Sequence, residues 1–174
     1  ATFVARAVDT DLANLGALLK RAALHRGTAF VEVLQNCNMF ADGTYAALTD
    51  KATRDDARLV LEHGKPLIFG QRRDRGIRLN GLRPEVVDLA AGAVREADLL
   101  IHDEGASGAG LGFLLSQLQA PEFPVPLGVF RQVTEPAYED LCADQAAAVR
   151  AKQGIGRLDA LLQGGAAWTV AAEH

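Results

Sequence analysis

The sequence predicts an α/β fold, and three observations carry this prediction. An apolar strand pattern, an amphipathic helix pattern and a second apolar strand follow one another within about the first 35 of 174 residues. This order is typical of a βαβ unit, in which the two strands are parallel and the crossover is right-handed. Further along, short strand and helix patterns alternate between Gly and Pro residues. Nearly half of the residues are hydrophobic, which is enough to bury a core.

The βαβ unit is predicted over residues 3–34. Residues 3–8 form the first strand, Asp9–Asp11 offers an N-cap for the helix, and Gly27 ends that helix before the second strand at 29–34. Two parallel strands do not form a stable sheet by themselves. The chain also starts within a strand, which needs neighbours on both sides. We therefore expect an upstream portion of a longer protein to complete the sheet.

The remaining elements are predicted to be shorter. Strands are expected at 58–62, 66–69, 76–79, 98–102 and 126–133. Helices are expected at 44–49, 84–91, 111–118, 139–153 and 158–162. Pro84 suits the first turn of its helix, and Gly154 suits the end of the long one. No internal repeat interrupts this pattern.

Composition excludes several classes of protein. The formal net charge of −4 gives no global case for nucleic-acid binding. No apolar run approaches the roughly 18 residues that a membrane span needs, and no basic segment followed by an apolar one marks a signal peptide. Cys37 and Cys142 do not make a disulfide framework. These observations predict a cytoplasmic protein that binds neither membranes nor nucleic acids.

The loop after the second strand is the best-placed functional position in the chain. Ligands of open parallel sheets gather at the carboxyl ends of the strands. This loop contains Asn36, Cys37 and Asn38. A lone Cys is more often a small buried hydrophobic residue than a ligand, so its spacing alone leaves both interpretations open.

Residues 31–40 resemble the strand-plus-cysteine segment of 2-oxoacid:ferredoxin oxidoreductase β subunits. In that family a strand runs into a single Cys, followed by a Phe and an Asn-Asp-Gly-like turn; the counterparts here are Cys37, Phe40 and Ala41-Asp42-Gly43. The similarity continues in order at residues 42–44, 50–54, 61–70, 76–81, 102–104, 123–131 and 168–170. Each segment alone is a weak signal, but their order along nearly the whole chain is fairly specific.

The resemblance implies an organisation and an activity. Residues 1–50 would be the C-terminal part of a thiamine-diphosphate-binding parallel-sheet domain, and residues 51–174 the family's mixed α/β C-terminal extension. The implied reaction is the coenzyme A-dependent oxidative decarboxylation of a 2-oxoacid, with electrons passed to ferredoxin. The later segments favour 2-oxoglutarate over pyruvate or a branched-chain substrate. An α subunit is the implied protein partner.

The resemblance also implies cofactors and site residues. The cofactors are thiamine diphosphate, Mg²⁺ and one [4Fe–4S] cluster, and Cys37 matches the fourth cluster ligand. Asn36 and Asn38 are expected to hydrogen-bond to cluster sulfurs or to substrate. The Gly-Asp-Gly and Asn signature for thiamine diphosphate is not found here, since Ala41-Asp42-Gly43 is interpreted as a turn. No catalytic residue is therefore expected in this chain, which should be inactive in isolation; the alternative is a non-catalytic scaffold that binds the α subunit.

Two charged stretches each allow a purely structural interpretation and a functional one. Arg72, Arg73, Arg75 and Arg78 are expected to form a solvated hairpin end; the alternative is a contact with acidic ferredoxin or with coenzyme A phosphates. His102-Asp103-Glu104 could act in acid–base chemistry. A surface or subunit-interface position is the stronger expectation for it, because no nucleophile is nearby in the sequence.

Overall fold

The α/β class is confirmed by a computed structural model, which describes residues 1–165, 167, 168, 170 and 171. The chain divides into two compact units, Ala1–Glu135 and Pro136–His174. The strands all lie in the first unit: β1 (Phe3–Val8), β2 (Ala29–Leu34), β3 (Arg58–Val60), β4 (Ile68–Phe69), β5 (Arg75–Asn80), β6 (Arg83–Asp88) and β7 (Val125–Gln132). The helices are α1 (Leu12–Leu24), α2 (Ala46–Thr49), α3 (Arg54–Ala57), α4 (Gly110–Ser116), α5 (Tyr138–Gln153) and α6 (Leu158–Leu162).

The main sheet is four-stranded, in the order β2-β1-β7-β3. As predicted, β1 and β2 are parallel, from Phe3 opposite Ala29 to Val8 opposite Leu34. The other neighbour of β1 is the antiparallel strand β7, so the sheet is mixed. Helix α1 packs Leu18 against one face, next to buried Phe3. The sheet takes strands from both sides of residue 50, and the division there into two domains remains a prediction.

A second sheet is antiparallel, in the order β4-β5-β6. It corrects one prediction: residues 84–91 do not form a helix, because β6 pairs with β5 across a two-residue turn at Gly81 and Leu82. Gly81 has a φ of +62°, as such tight hairpin turns require. Pro84 is tolerated because β6 is an edge strand.

Residues 98–102 are not a regular strand either. A 3₁₀ turn covers Glu96–Asp98, and the extended residues after it make a single bridge, Ile101 with Pro66. The backbone hydrogen bonds of this segment alternate between β5 and residues 65–67, which precede β4. Leu100 N donates to Ile77 O, whereas its own carbonyl accepts from Leu67 N. The segment therefore connects β5 with residues 65–67 without forming a regular strand ladder with either.

The second unit consists of helices. Helix α5 begins with the backbone N–H of Ala137 donating to the Asp140 carboxylate at 3.3 Å, and it ends at Gly154, with a φ of +78°. Both helices agree with the predicted spans. Trp168 is 83% exposed, and Thr169 lies outside the described residues. Among the residues that the structure describes, no helix is long and apolar enough to cross a membrane.

Candidate functional site

The residues after β2 form a structured loop at the carboxyl edge of the parallel strand pair. We call residues 36–43 the Cys37 loop. A bridge between Cys37 and Ala41 closes it, and Ala41 N donates to Cys37 O at 2.9 Å. The Cys37 side chain is half-buried, so it is not part of the apolar interior. The structure therefore places this thiol where a strand-end ligand should lie.

Backbone N–H groups of the loop favour the thiolate form of Cys37. Hydrogen bonds from Phe40 and Met39, with a smaller one from Ala41, hold the pKa of this thiol below its ordinary value. Partial burial opposes them with a smaller effect. Hydrogen bonds to the charged form of a group stabilise that form. The thiolate is the form of cysteine that binds metals, so the lowered pKa is compatible with the predicted role of Cys37 as a ligand.

The side chain of Asn36 fixes the shape of the Cys37 loop. Its Nδ2 donates to Asn38 Oδ1 at 2.6 Å and to Asp42 Oδ1 at 2.9 Å. Its Oδ1 accepts from Gly43 N at 2.9 Å. These bonds run within the loop, and the donors to the sulfur are backbone groups. Contacts of Asn36 and Asn38 with a cluster or a substrate remain predictions, whereas the positioning role of Asn36 had no signal in the sequence.

The loop presents apolar side chains beside the thiol. Met39 is 83% exposed and Phe40 is 91% exposed. On the adjacent strand β2, Phe30 and Val33 are also exposed, and β2 has a neighbour on only one side in the described sheet. Apart from Glu32, which pairs with Arg6, β2 is apolar, and apolar strands are typical of the interior of a parallel sheet. This region has the character of a surface that another element covers.

The residues present include one thiol that could serve as a ligand of an iron–sulfur cluster, Cys37. Such clusters need four thiolates, and the sequence contains only Cys37 and Cys142. The described residues contain no group of three or more His, Cys, Asp or Glu side chains that could hold a metal. The Cys37 thiol fits a cluster ligand because of its place and lowered pKa. The Asp42 carboxylate instead accepts from Asn36 in a turn, so these residues do not fit Mg²⁺ or thiamine diphosphate.

The four arginines at 72–78 differ in their surroundings. Arg75 pairs with Asp56, and Arg78 with Glu85. Arg72 lies 3.7 Å from Asp74. Arg73 forms no ion pair within the described part of the chain. The stretch is therefore largely neutralised, as expected of a hairpin end, and a contact with ferredoxin or coenzyme A remains a prediction.

The expectation of a surface position for His102 is wrong, because its side chain is fully buried. Nε2 lies 2.7 Å from Val129 O; it must carry the ring proton, since a carbonyl only accepts. Nδ1 has no partner among the described residues. Burial lowers the pKa of His102, and the hydrogen bond to Val129 opposes this effect. Leu127 is the last residue of β7 that pairs with β3. Two residues further along β7, the carbonyl of Val129 accepts from the His102 ring. The ring therefore continues the hydrogen bonding of β7 beyond the end of β3.

Comparison with known proteins adds independent information. No model of a known protein family matches the chain. The chain is 36% identical over 173 residues to the 2-oxoglutarate oxidoreductase subunit KorB of Mycobacterium tuberculosis (strain ATCC 25618 / H37Rv). The match covers 98% of this chain and 46% of that protein, so the chain spans about half the length of this relative.

Proposed function

We propose that this chain, which belongs to the family of 2-oxoacid:ferredoxin oxidoreductase β subunits, supplies the Cys37 thiolate to a [4Fe–4S] cluster of such a subunit. The observation that carries this proposal is the half-buried thiol at the end of a parallel strand, with backbone N–H groups that lower its pKa. The same N–H groups would stabilise the negative charge of a bound cluster. Hydrogen bonds to sulfur are one of the protein's means of setting cluster potentials.

The proposed reaction is the oxidative decarboxylation of 2-oxoglutarate with coenzyme A, the electrons passing to ferredoxin. The name of the relative supports 2-oxoglutarate as substrate, and its description as a subunit supports an α-subunit partner. Thiamine diphosphate, when bound with Mg²⁺, would supply the carbanion chemistry of decarboxylation. The residues of this chain would act on the electron path: Cys37 holds the cluster, and Asn36 holds the loop that carries Cys37.

We further propose that the intact subunit adds a strand or a helix along β2. Phe30 and Val33 on this strand, with Met39 and Phe40 of the Cys37 loop, leave apolar surface that such an element would bury. Burial of apolar surface stabilises a fold by about 25 cal/mol per Å². In the absence of this element and of the residues that bind thiamine diphosphate, the isolated chain is expected to be inactive.

The experiment that tests the proposed ligand compares Cys37→Ala with the matched control Cys142→Ala in the complete protein that contains this chain. Iron and acid-labile sulfide are measured after anaerobic purification with the α subunit. We expect the control to retain about four irons per subunit and Cys37→Ala to lose most of them. Equal iron contents in the two variants would refute the ligand role.

The alternative is a non-catalytic module that binds the α subunit. The coding sequence upstream of Ala1 discriminates between the two functions. A Cys-x-x-Cys motif, a further Cys and a Gly-Asp-Gly motif there would support the enzyme. Their absence would support the module. Kinetics of the assembled enzyme with 2-oxoglutarate and pyruvate would then determine the substrate.

A further inference from the structure

We propose that the tip of the β5–β6 hairpin is a docking surface for the α subunit, with Leu82 as the side chain that enters an apolar pocket of that subunit. The hairpin consists of β5, β6 and the turn residues Gly81 and Leu82. The identity of the partner rests on the proposed function, which includes an α subunit. None of the hairpin residues belongs to the Cys37 loop, so the surface itself is independent of the cluster.

One face of the hairpin is apolar, and this face extends beyond the core. Residues two apart on a strand share a face, as do residues directly opposite each other on paired strands. Ile77 lies opposite Val86, and Leu79 lies opposite Pro84, so these four side chains share one face. Ile77 is fully buried in the core, whereas Leu79 is 38% and Val86 is 37% exposed. The apolar row therefore continues past the core towards the turn.

The other face of the hairpin is polar near the turn. Arg78 lies opposite Glu85 and forms an ion pair with it, and Asn80 lies opposite Arg83. Antiparallel sheets with one polar and one apolar face normally pack the apolar face on a core. Towards the turn, the hairpin keeps this pattern although its apolar face is partly exposed. Such a face is typical of a surface that another protein covers.

Leu82 is an unusual residue for this turn. Gly81 has a positive φ, whereas Arg73 is the one non-glycine residue with a positive φ in the described part of the chain, so Leu82 does not share that conformation. This combination is typical of a type II′ turn, in which Gly is commonly followed by Asn, Asp or Ser. Leu82 is instead 91% exposed. Departures from local rules are expected at functional sites, and a bound partner would bury this leucine.

Shape and charge determine which occupant fits. A two-residue turn with an almost wholly exposed leucine protrudes, so it fits a concave pocket. Arg83 is next to Leu82 and forms no ion pair among the residues that the structure describes. Two copies that met at their Leu82 side chains would bring their Arg83 side chains together, and like charges across an interface are unfavourable. The surface therefore fits a different protein, with carboxylates around an apolar pocket, and the relative KorB is described as a subunit.

The first test compares Leu82→Asn with the matched control Leu24→Asn in the complete protein. Leu24 is 77% exposed and lies at the end of α1, away from the hairpin. Asn suits the second position of the turn, so Leu82→Asn should leave the melting temperature of the complete protein unchanged in the absence of the α subunit. Binding to the immobilised α subunit is measured by biolayer interferometry. We expect Leu82→Asn to weaken binding by about tenfold or more, because a buried leucine anchor is lost. The control should bind like the wild type.

The second test concerns charge. Arg83→Glu should slow association in low salt and leave dissociation nearly unchanged, as expected of a charge at the rim of an interface. Arg72→Glu makes the same change in charge before the start of β5, at the opposite end of that strand from the turn, and should have a much smaller effect.

Three results would overturn the docking surface alone: wild-type affinity of Leu82→Asn, equal weakening by Leu24→Asn, or a lower melting temperature of Leu82→Asn without the α subunit. The last result would mean that Leu82 packs against another part of the same protein. Failure of the wild type to bind the α subunit would instead refute the proposed partner, and the docking surface with it. Iron content, measured on the same samples, tests the cluster separately and should be equal in Leu82→Asn and the wild type.

Discussion

A methyl group at position 128 should strongly destabilise the main sheet. Gly128 lies in β7, the strand that supports β1 and through it β2 and the Cys37 loop. Its φ is +126°, and an added Cβ would meet the backbone oxygen of Leu61 at 2.9 Å. The positive φ costs about 2 kcal/mol, and the backbone shift forced by the clash costs about 2 kcal/mol more. We therefore expect Gly128→Ala to lower the free energy of unfolding by about 4 kcal/mol.

The matched control is Gly81→Ala, which separates conformational strain from the close contact. Gly81 has a φ of +62°, and its added Cβ would meet nothing within 4 Å. Its cost should be about 1 kcal/mol, from the left-handed conformation alone. Urea denaturation followed by circular dichroism gives both values. If Gly128→Ala costs no more than Gly81→Ala, the close packing of β7 against Leu61 is not as described.

Two further predictions concern pH and the Cys37 loop. Because burial lowers the pKa of His102, the unfolded chain binds a proton below about pH 6.5 that the folded chain does not. Stability should therefore fall on acidification from about pH 6.5 to the lowered pKa, by up to about 1.4 kcal/mol per pH unit. His102→Gln can still donate to Val129 O and should lose this slope in urea titrations; an unchanged slope would assign it to other groups. Asn36→Ala removes the hydrogen bonds that hold the Cys37 loop, so the backbone N–H groups around Cys37 should become less well ordered. The pH midpoint for alkylation of the Cys37 thiol should then rise. The control Asn80→Ala should leave this midpoint unchanged.

The sequence was informative wherever local patterns decide the structure. The βαβ unit follows from alternating apolar runs, a cap and Gly27, all within about 35 residues. The position of Cys37 at the end of β2 follows from the same pattern. The long helix α5 was predicted because Gly154 and the helical composition agree.

The wrong predictions concern residues whose structure depends on contacts with distant parts of the chain. Pro84 is equally suited to a helix start and to an edge strand, and only the pairing with β5 selects the strand. His102 is buried, and its ring donates to the carbonyl of Val129, which lies 27 residues away in the sequence. Arg73 has a positive φ in a turn that Asp55 and Asp56 of α3 hold by hydrogen bonds to Gly70 and Gln71. Such tertiary contacts leave no periodic signal in the sequence.

The most direct test of the cluster proposal uses the wild-type complete protein and compares the alkylation of its two cysteines by mass spectrometry. In the anaerobic holoprotein, Cys37 should resist iodoacetamide, whereas exposed Cys142 reacts and serves as the internal control. After removal of iron by a chelator, Cys37 should react readily because its lowered pKa favours the thiolate. Labelling of Cys37 at the same rate before and after iron removal would contradict its role as a cluster ligand.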